Sequence, residues 1–131
     1  MAYEVKGEIL GFVNTRQVDI NEIDALFSIM KDSQNPGISF TLVNPYMLRE
    51  YPFEIPEKTK ELLKITDNSE ISVFNILLIQ KPLEKSTINF LAPIIINHNN
   101  NTLAQIVLEP KQNPDYGMAE SIESFKKETS S

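Results

Sequence analysis

The 131-residue chain contains no cysteine. That excludes disulfides, thiolate-bound zinc, iron–sulfur clusters and cysteine nucleophiles. It has one histidine, His98, too few for a multi-histidine metal site. Four glycines and eight prolines rule out a collagen-like or linker chain. Basic residues are outnumbered: 12 Lys and Arg against 18 Asp and Glu leave a net charge of −6. That balance opposes direct, non-specific nucleic-acid binding. Long apolar runs are missing as well. Ile71 to Ile79 is broken by Ser72 and Asn75, and Phe90 to Ile96 by Pro93. Both are too short to span a membrane. The N-terminus lacks a basic start followed by an apolar core, so it does not read as a secretory signal. Together these absences predict a soluble cytoplasmic protein.

What remains is a globular composition, with 41% hydrophobic residues. The length suits one domain over residues 1–131 with a modest core. Val5 and the Ile9–Phe12 group read as short extended segments, with sharp bends at Gly7 and Gly11. Val18 to Lys31 has two readings. Ile20, Ile23, Phe27 and Met30 fit a helical stripe with Asp19 as N-cap. The polar interruptions favour two strands meeting near Asp24. Ser33 to Gly37 is a turn, and Ile38 to Val43 alternates as a half-buried strand. Asn44-Pro45-Tyr46 ends that strand, because proline cannot donate to a ladder.

Ile55 to Ile65 is the clearest helix. Pro56 lies in its first turn, and Leu62 and Ile65 with Thr59 form its apolar face. Ile71 to Gln80 and Thr87 to Ile96 read as strands, the second bent at Ala92-Pro93. Asn97 to Asn101 makes a tight hairpin into a returning strand, Thr102 to Leu108, because asparagine tolerates the left-handed region. Residues 118–131 read as a short helix, carrying Met118, Ile122 and Phe125, and a polar tail. The sum is a mainly β chain: a small antiparallel, partly closed β-barrel-like domain with one or two short helices.

No nucleophile elbow, phosphate loop, dinucleotide fingerprint or metal spacing is present. His98, in an Asn-rich tip, reads as an exposed turn residue. Glu54, Glu57 and Glu61 read as a solvated face interleaved with lysines rather than paired catalytic acids. Asn44-Pro45-Tyr46 and Asn89 to Pro93 stand out because polar or proline residues interrupt strong strands. They mark either strand ends and a bulge, or a groove that receives a partner peptide.

Taken in order, these segments resemble the flagellar assembly factor FliW family. Thr87-Ile88-Asn89-Phe90-Leu91-Ala92-Pro93-Ile94-Ile95-Ile96-Asn97 resembles the family block Thr-x-Asn-Leu-x-Ala-Pro-Ile-Val-x-Asn. Phe40 to Tyr46, followed by Tyr51-Pro52-Phe53-Glu54-Ile55-Pro56, resembles a second block. Ile9 to Phe12 and Ala104 to Leu108 also fit, so the likeness covers roughly residues 5–117.

The resemblance implies a non-enzymatic regulator without catalytic residues, metal or cofactor. It implies two partners, flagellin and the RNA-binding translational repressor CsrA. Accumulated flagellin would occupy the factor and free CsrA to repress flagellin translation. Flagellin export would release the factor to antagonise CsrA allosterically. On this chain, Glu50, Glu54 and Glu57 are the expected CsrA-facing carboxylates, with Tyr51 and Phe53 as apolar anchors. Asn44, Pro45, Tyr46, Asn89, Ala92 and Pro93 are the expected rim of a groove for a flagellin helix. The alternative function is a small-molecule-binding or enzymatic barrel, which needs a pocket with convergent polar groups.

Overall fold

The computed structural model describes residues 2–126. Its first four strands form an up-and-down meander: β1 (Ala2–Val5), β2 (Gln17–Glu22), β3 (Phe27–Asp32) and β4 (Ser39–Val43). The two-strand reading of Val18 to Lys31 is the observed one. Asp24 decides it locally: its carboxylate accepts the Leu26 and Phe27 N–H groups at 2.9 and 2.7 Å and folds the chain into a hairpin. Ile20 and Met30 become cross-strand partners in the interior, whereas a helical stripe would also have buried the exposed Ile23.

Helix α1 (Glu57–Leu63) follows, then β5 (Ile71–Leu78). The expected strand from Thr87 to Ile96 is two strands, β6 (Thr87–Ile88) and β7 (Ile94–Asn97), both paired antiparallel to β5. Residues 89–93 loop out between them. Pro93 has no N–H to give a ladder, and the loop's backbone finds other partners. Leu91 N–H bonds Asn89 Oδ1 at 3.0 Å, and Phe90 N–H bonds the Gly117 carbonyl at 2.9 Å.

β8 (Thr102–Gln105) returns along β7 and also lies parallel to β1. β4 pairs with β5, so seven strands close a barrel in the order β4-β3-β2-β1-β8-β7-β5. The barrel is therefore closed, with β1 and β8 parallel in an otherwise antiparallel sheet. β9 (Glu120–Ser121) pairs with β6 outside the barrel, and α2 (Glu123–Lys126) ends the described chain. No strand was expected at β9. Met118 is exposed, while Ile122 and Phe125 pack on the outer core. The expected polar tail, residues 127–131, lies outside the described residues.

Two apolar layers result from strand alternation. Val18, Met30, Leu42, Ile94, Ile96 and Leu103 fill the barrel. Val73, Leu77, Ile95 and Ala104 point outward and are covered by Leu63, Tyr51, Phe90 and the chain's last third. The buried face of α1 is Thr59 and Leu63, four apart, not Leu62, which is 47% exposed. The helix stops at Lys64, whose φ of 56° is left-handed. Side-chain amides of Asn97 and Asn100 each donate to the Leu63 carbonyl at 2.9 Å, so the Asn-rich hairpin closes that helix end.

Candidate partner-binding surface

The segment from Asn44 to Pro56 crosses the outer wall of the barrel and carries most of the residues singled out above. Asn44 caps the 3-10 turn Pro45–Met47, accepting the Tyr46 N–H at 3.1 Å. That leaves Tyr46 55% exposed while Pro45 is buried. Tyr51 is only 2% exposed. Its ring meets Tyr46, Phe53, Phe90 and Tyr116 at centroid distances of 6.3, 5.1, 5.4 and 4.8 Å. Its hydroxyl donates to the Phe90 carbonyl and accepts from Asn75 Nδ2 at 3.1 Å. Burial pushes this hydroxyl's pKa well above the ordinary tyrosine range. Tyr51 thus anchors the segment to the barrel and leaves almost no surface, forming part of one depression's floor.

Phe53 is half-buried and separates two depressions. One, of about 800 Å³, is lined by Asn44, Tyr46, Glu50, Phe53 and Phe74. The other, of about 730 Å³, is lined by Phe53, Glu54, Pro56, Val107 and Glu109. Their lining carboxylates are Glu50, Glu54 and Glu109, and neither lining includes a lysine or arginine among the described residues. Glu57 is exposed on α1, lines neither depression and pairs with Lys60 at 3.4 Å.

Asn89, Ala92 and Pro93 do not share this surface. Ala92 and Pro93 are buried, and Asn89 is turned to its own loop, where its carbonyl accepts from Asn75 Nδ2 at 2.9 Å. They shape the interruption between β6 and β7 instead of lining a groove. His98 is not a free turn residue either. It is half-buried, within 2.7 Å of Ser72 Oγ and 3.4 Å of the Tyr3 hydroxyl.

The sequence reading missed Arg49. Its guanidinium lies 5.1 Å from the Phe90 ring centre and 4.8 Å from that of Tyr116, and it pairs with Glu120 at 3.4 Å. Tyr116 in turn donates to the Pro52 carbonyl at 2.6 Å. These contacts fasten the chain's last third beside the ridge. Asn75 was also missed as a hub. Its signal was present: an amide inside an otherwise apolar strand. Among the described residues, no group of three or more His, Asp and Glu is placed to hold a metal, and no helix is long and apolar enough to cross a membrane.

The fold and surface define a small closed β-barrel with an acidic, aromatic-edged ridge on its outer wall. The family model described as FliW protein matches residues 1–122. Flagellar assembly factor FliW 2 of Wolinella succinogenes is 50% identical over 95% of this chain and 92% of its own. Flagellar assembly factor FliW of Sulfurimonas denitrificans is 45% identical over 97% and 99%. That of Campylobacter lari is 41% identical over 98% and 99%. A crystal structure of the flagellar assembly factor FliW shares the fold, with a TM-score of 0.82 over 92% of this chain and 84% of that one, at 24% identity. The chain belongs to the FliW family. That membership supports a role in flagellar assembly, exercised through protein–protein contacts.

Proposed function

We propose that this chain is a non-enzymatic, cytoplasmic flagellar assembly factor that binds flagellin and antagonises the translational regulator CsrA. The observation that carries this reading is the family match over residues 1–122, joined to the acidic ridge around Phe53. Tyr46 and Phe53 serve as apolar anchors, a role the exposed ring of Tyr46 suits. The depression beside Tyr46 takes a terminal helix of flagellin. Glu50 and Glu54 face CsrA, and Glu57 adds to their field from α1. An acidic protein of net charge −6, docked beside a basic RNA-binding surface, lowers the local positive potential. RNA affinity then falls without overlap of the two sites, because phosphate binding depends steeply on that potential.

Calorimetric titration with purified flagellin and, separately, CsrA tests the reading. Binding to both, each weakening the other, is expected. Silence with both partners, from a folded sample, overturns it. The combined variant Glu50→Lys, Glu54→Lys and Glu57→Lys should fold and lose antagonism. Full antagonism by the folded variant removes these carboxylates from the mechanism.

A further inference from the structure

A second groove lies on the other side of the Pro45–Met47 turn, away from the Phe53 ridge. It has a volume of about 630 Å³ and runs over the outer faces of β3, β4 and β5. Ile29, Met47, Ile79, Leu83 and Phe125 are among its apolar walls. Ile79 is 51% and Leu83 60% exposed, and Met47 and Ile23 are exposed beside them. The groove continues the outer core, since Phe27, Leu48, Ile122 and Phe125 pack against that core from below. Elsewhere the last third of the chain covers this layer. Here, among the described residues, it remains open.

We propose that this groove docks an amphipathic helix of a partner protein, apolar on one face and flanked by lysine or arginine. Two observations select a helix. The floor strands are already paired on both edges: β3 by β2 and β4, β4 by β3 and β5, and β5 by β4 and the β6–β7 side. None of these floor strands has an edge free to accept an added strand, so an occupant of the floor must satisfy its own backbone. Three strands at a spacing of about 4.8 Å span roughly 10 Å, the diameter of a helix with short side chains. Charge selects the flanks. Glu84 and Glu123 line the groove, with no lysine or arginine among the described side chains that line it. Methionine at the rim suits an adaptable apolar contact. The inference is independent of which depression beside Phe53 receives flagellin.

The test uses the full chain and two synthetic peptides of roughly 18 residues, long enough to form helix. Both carry leucine at helical spacing; one has lysine flanks and the other glutamate flanks. Methyl NMR of Met47, Ile79 and Leu83 reports the site, and titration reports the affinity. The lysine-flanked peptide should bind at least about 10-fold more tightly at low salt, with the gap closing as salt rises. Ile79→Asp with Leu83→Asp should abolish binding, and both residues are exposed enough to leave the fold intact. Glu84→Lys with Glu123→Lys should reverse the preference between peptides. Equal affinity for both peptides, methyl shifts confined to the Phe53 ridge, or no binding overturns the proposal. So does a dimer of this chain that Ile79→Asp dissociates, since a second copy would then be the occupant.

Discussion

Removing a single oxygen from Tyr51 separates its structural role from any partner contact. The hydroxyl donates to the Phe90 carbonyl and accepts from Asn75 Nδ2. Tyr51→Phe keeps the ring and its aromatic neighbours. It leaves a buried carbonyl without its hydroxyl donor, while Asn75 Nδ2 retains the Asn89 carbonyl at 2.9 Å. One buried acceptor stranded in this way costs about 1–3 kcal/mol. For a chain of this size that is about 3–4 °C of melting temperature per kcal/mol. Urea unfolding should show a lower midpoint with an unchanged slope.

The same oxygen governs the alkaline limb. Burial raises the folded-state pKa above that of the unfolded chain. The stability it contributes is fully present below the unfolded value of about 10 and declines as pH rises from there toward the folded value. Tyr51→Phe should flatten that part of the decline. Its partner affinity should equal that of the wild type, because the hydroxyl is turned inward to Phe90 and Asn75. A wild-type urea midpoint, or a loss of flagellin binding without a loss of stability, would refute the reasoning.

On α1, Leu63→Ala should cost roughly 2–5 kcal/mol by opening a cavity in the outer core, and Leu62→Ala under about 0.5 kcal/mol; chemical denaturation of both variants checks the assigned face. Arg49→Met should loosen the last third of the chain, at about 1–2 kcal/mol, and accelerate hydrogen exchange at the Gly117 and Ile122 amides. Asp32 is held below the usual carboxylate range by the Gln34 N–H, then the Thr15 hydroxyl and the Asn35 N–H. Its contribution is present above the unfolded pKa of about 3.9 and is lost as pH falls toward the lower folded value. Asp32→Asn should therefore be less stable at neutral pH and show a shallower acid limb in a pH series of melting curves. Phe53→Ala should weaken partner binding with a much smaller loss of stability than Tyr51→Ala, measured by titration and melting of each.

Strand alternation made most of the barrel legible. Ile38 to Val43, which alternates at the period of a pleat, and Ile71 to Gln80, a strongly apolar run, lie within two residues of the observed strands β4 and β5. The choice at Val18 to Lys31 was harder, since short apolar runs fit both periods. A local bond from Asp24, invisible to periodicity, settles it. Leu62 and Leu63 are adjacent leucines, and only tertiary packing says which one turns inward. β9 is two residues long and owes its pairing to β6, so nothing local announces it. At the ridge, Tyr46, Glu50, Phe53 and Glu54 come from one stretch of chain, and their proximity follows from sequence. The Asn89–Pro93 block was legible as an interruption, but its burial depends on the distant Gly117 and Leu108. Arg49 and Glu120 are far apart in sequence, and no spacing rule joins them.

The parallel pair between β1 and β8 has a consequence for how the protein is made. Glu4 registers with Thr102, so β1, made before the other strands of the barrel, receives its second neighbour only when β8 arrives. Until β5 is made β4 has an unpaired edge, and until β8 is made β1 keeps one, so the apolar inner face stays open along that seam. A nascent chain in that state is a substrate for chaperones and a template for aggregation. Chains truncated before Thr102 should keep the β1 edge open. Closure thus comes late and depends on contacts of long sequence separation, which favours slow folding, and slow codons or stalling in the stretch from β5 to β8 would lengthen the exposure.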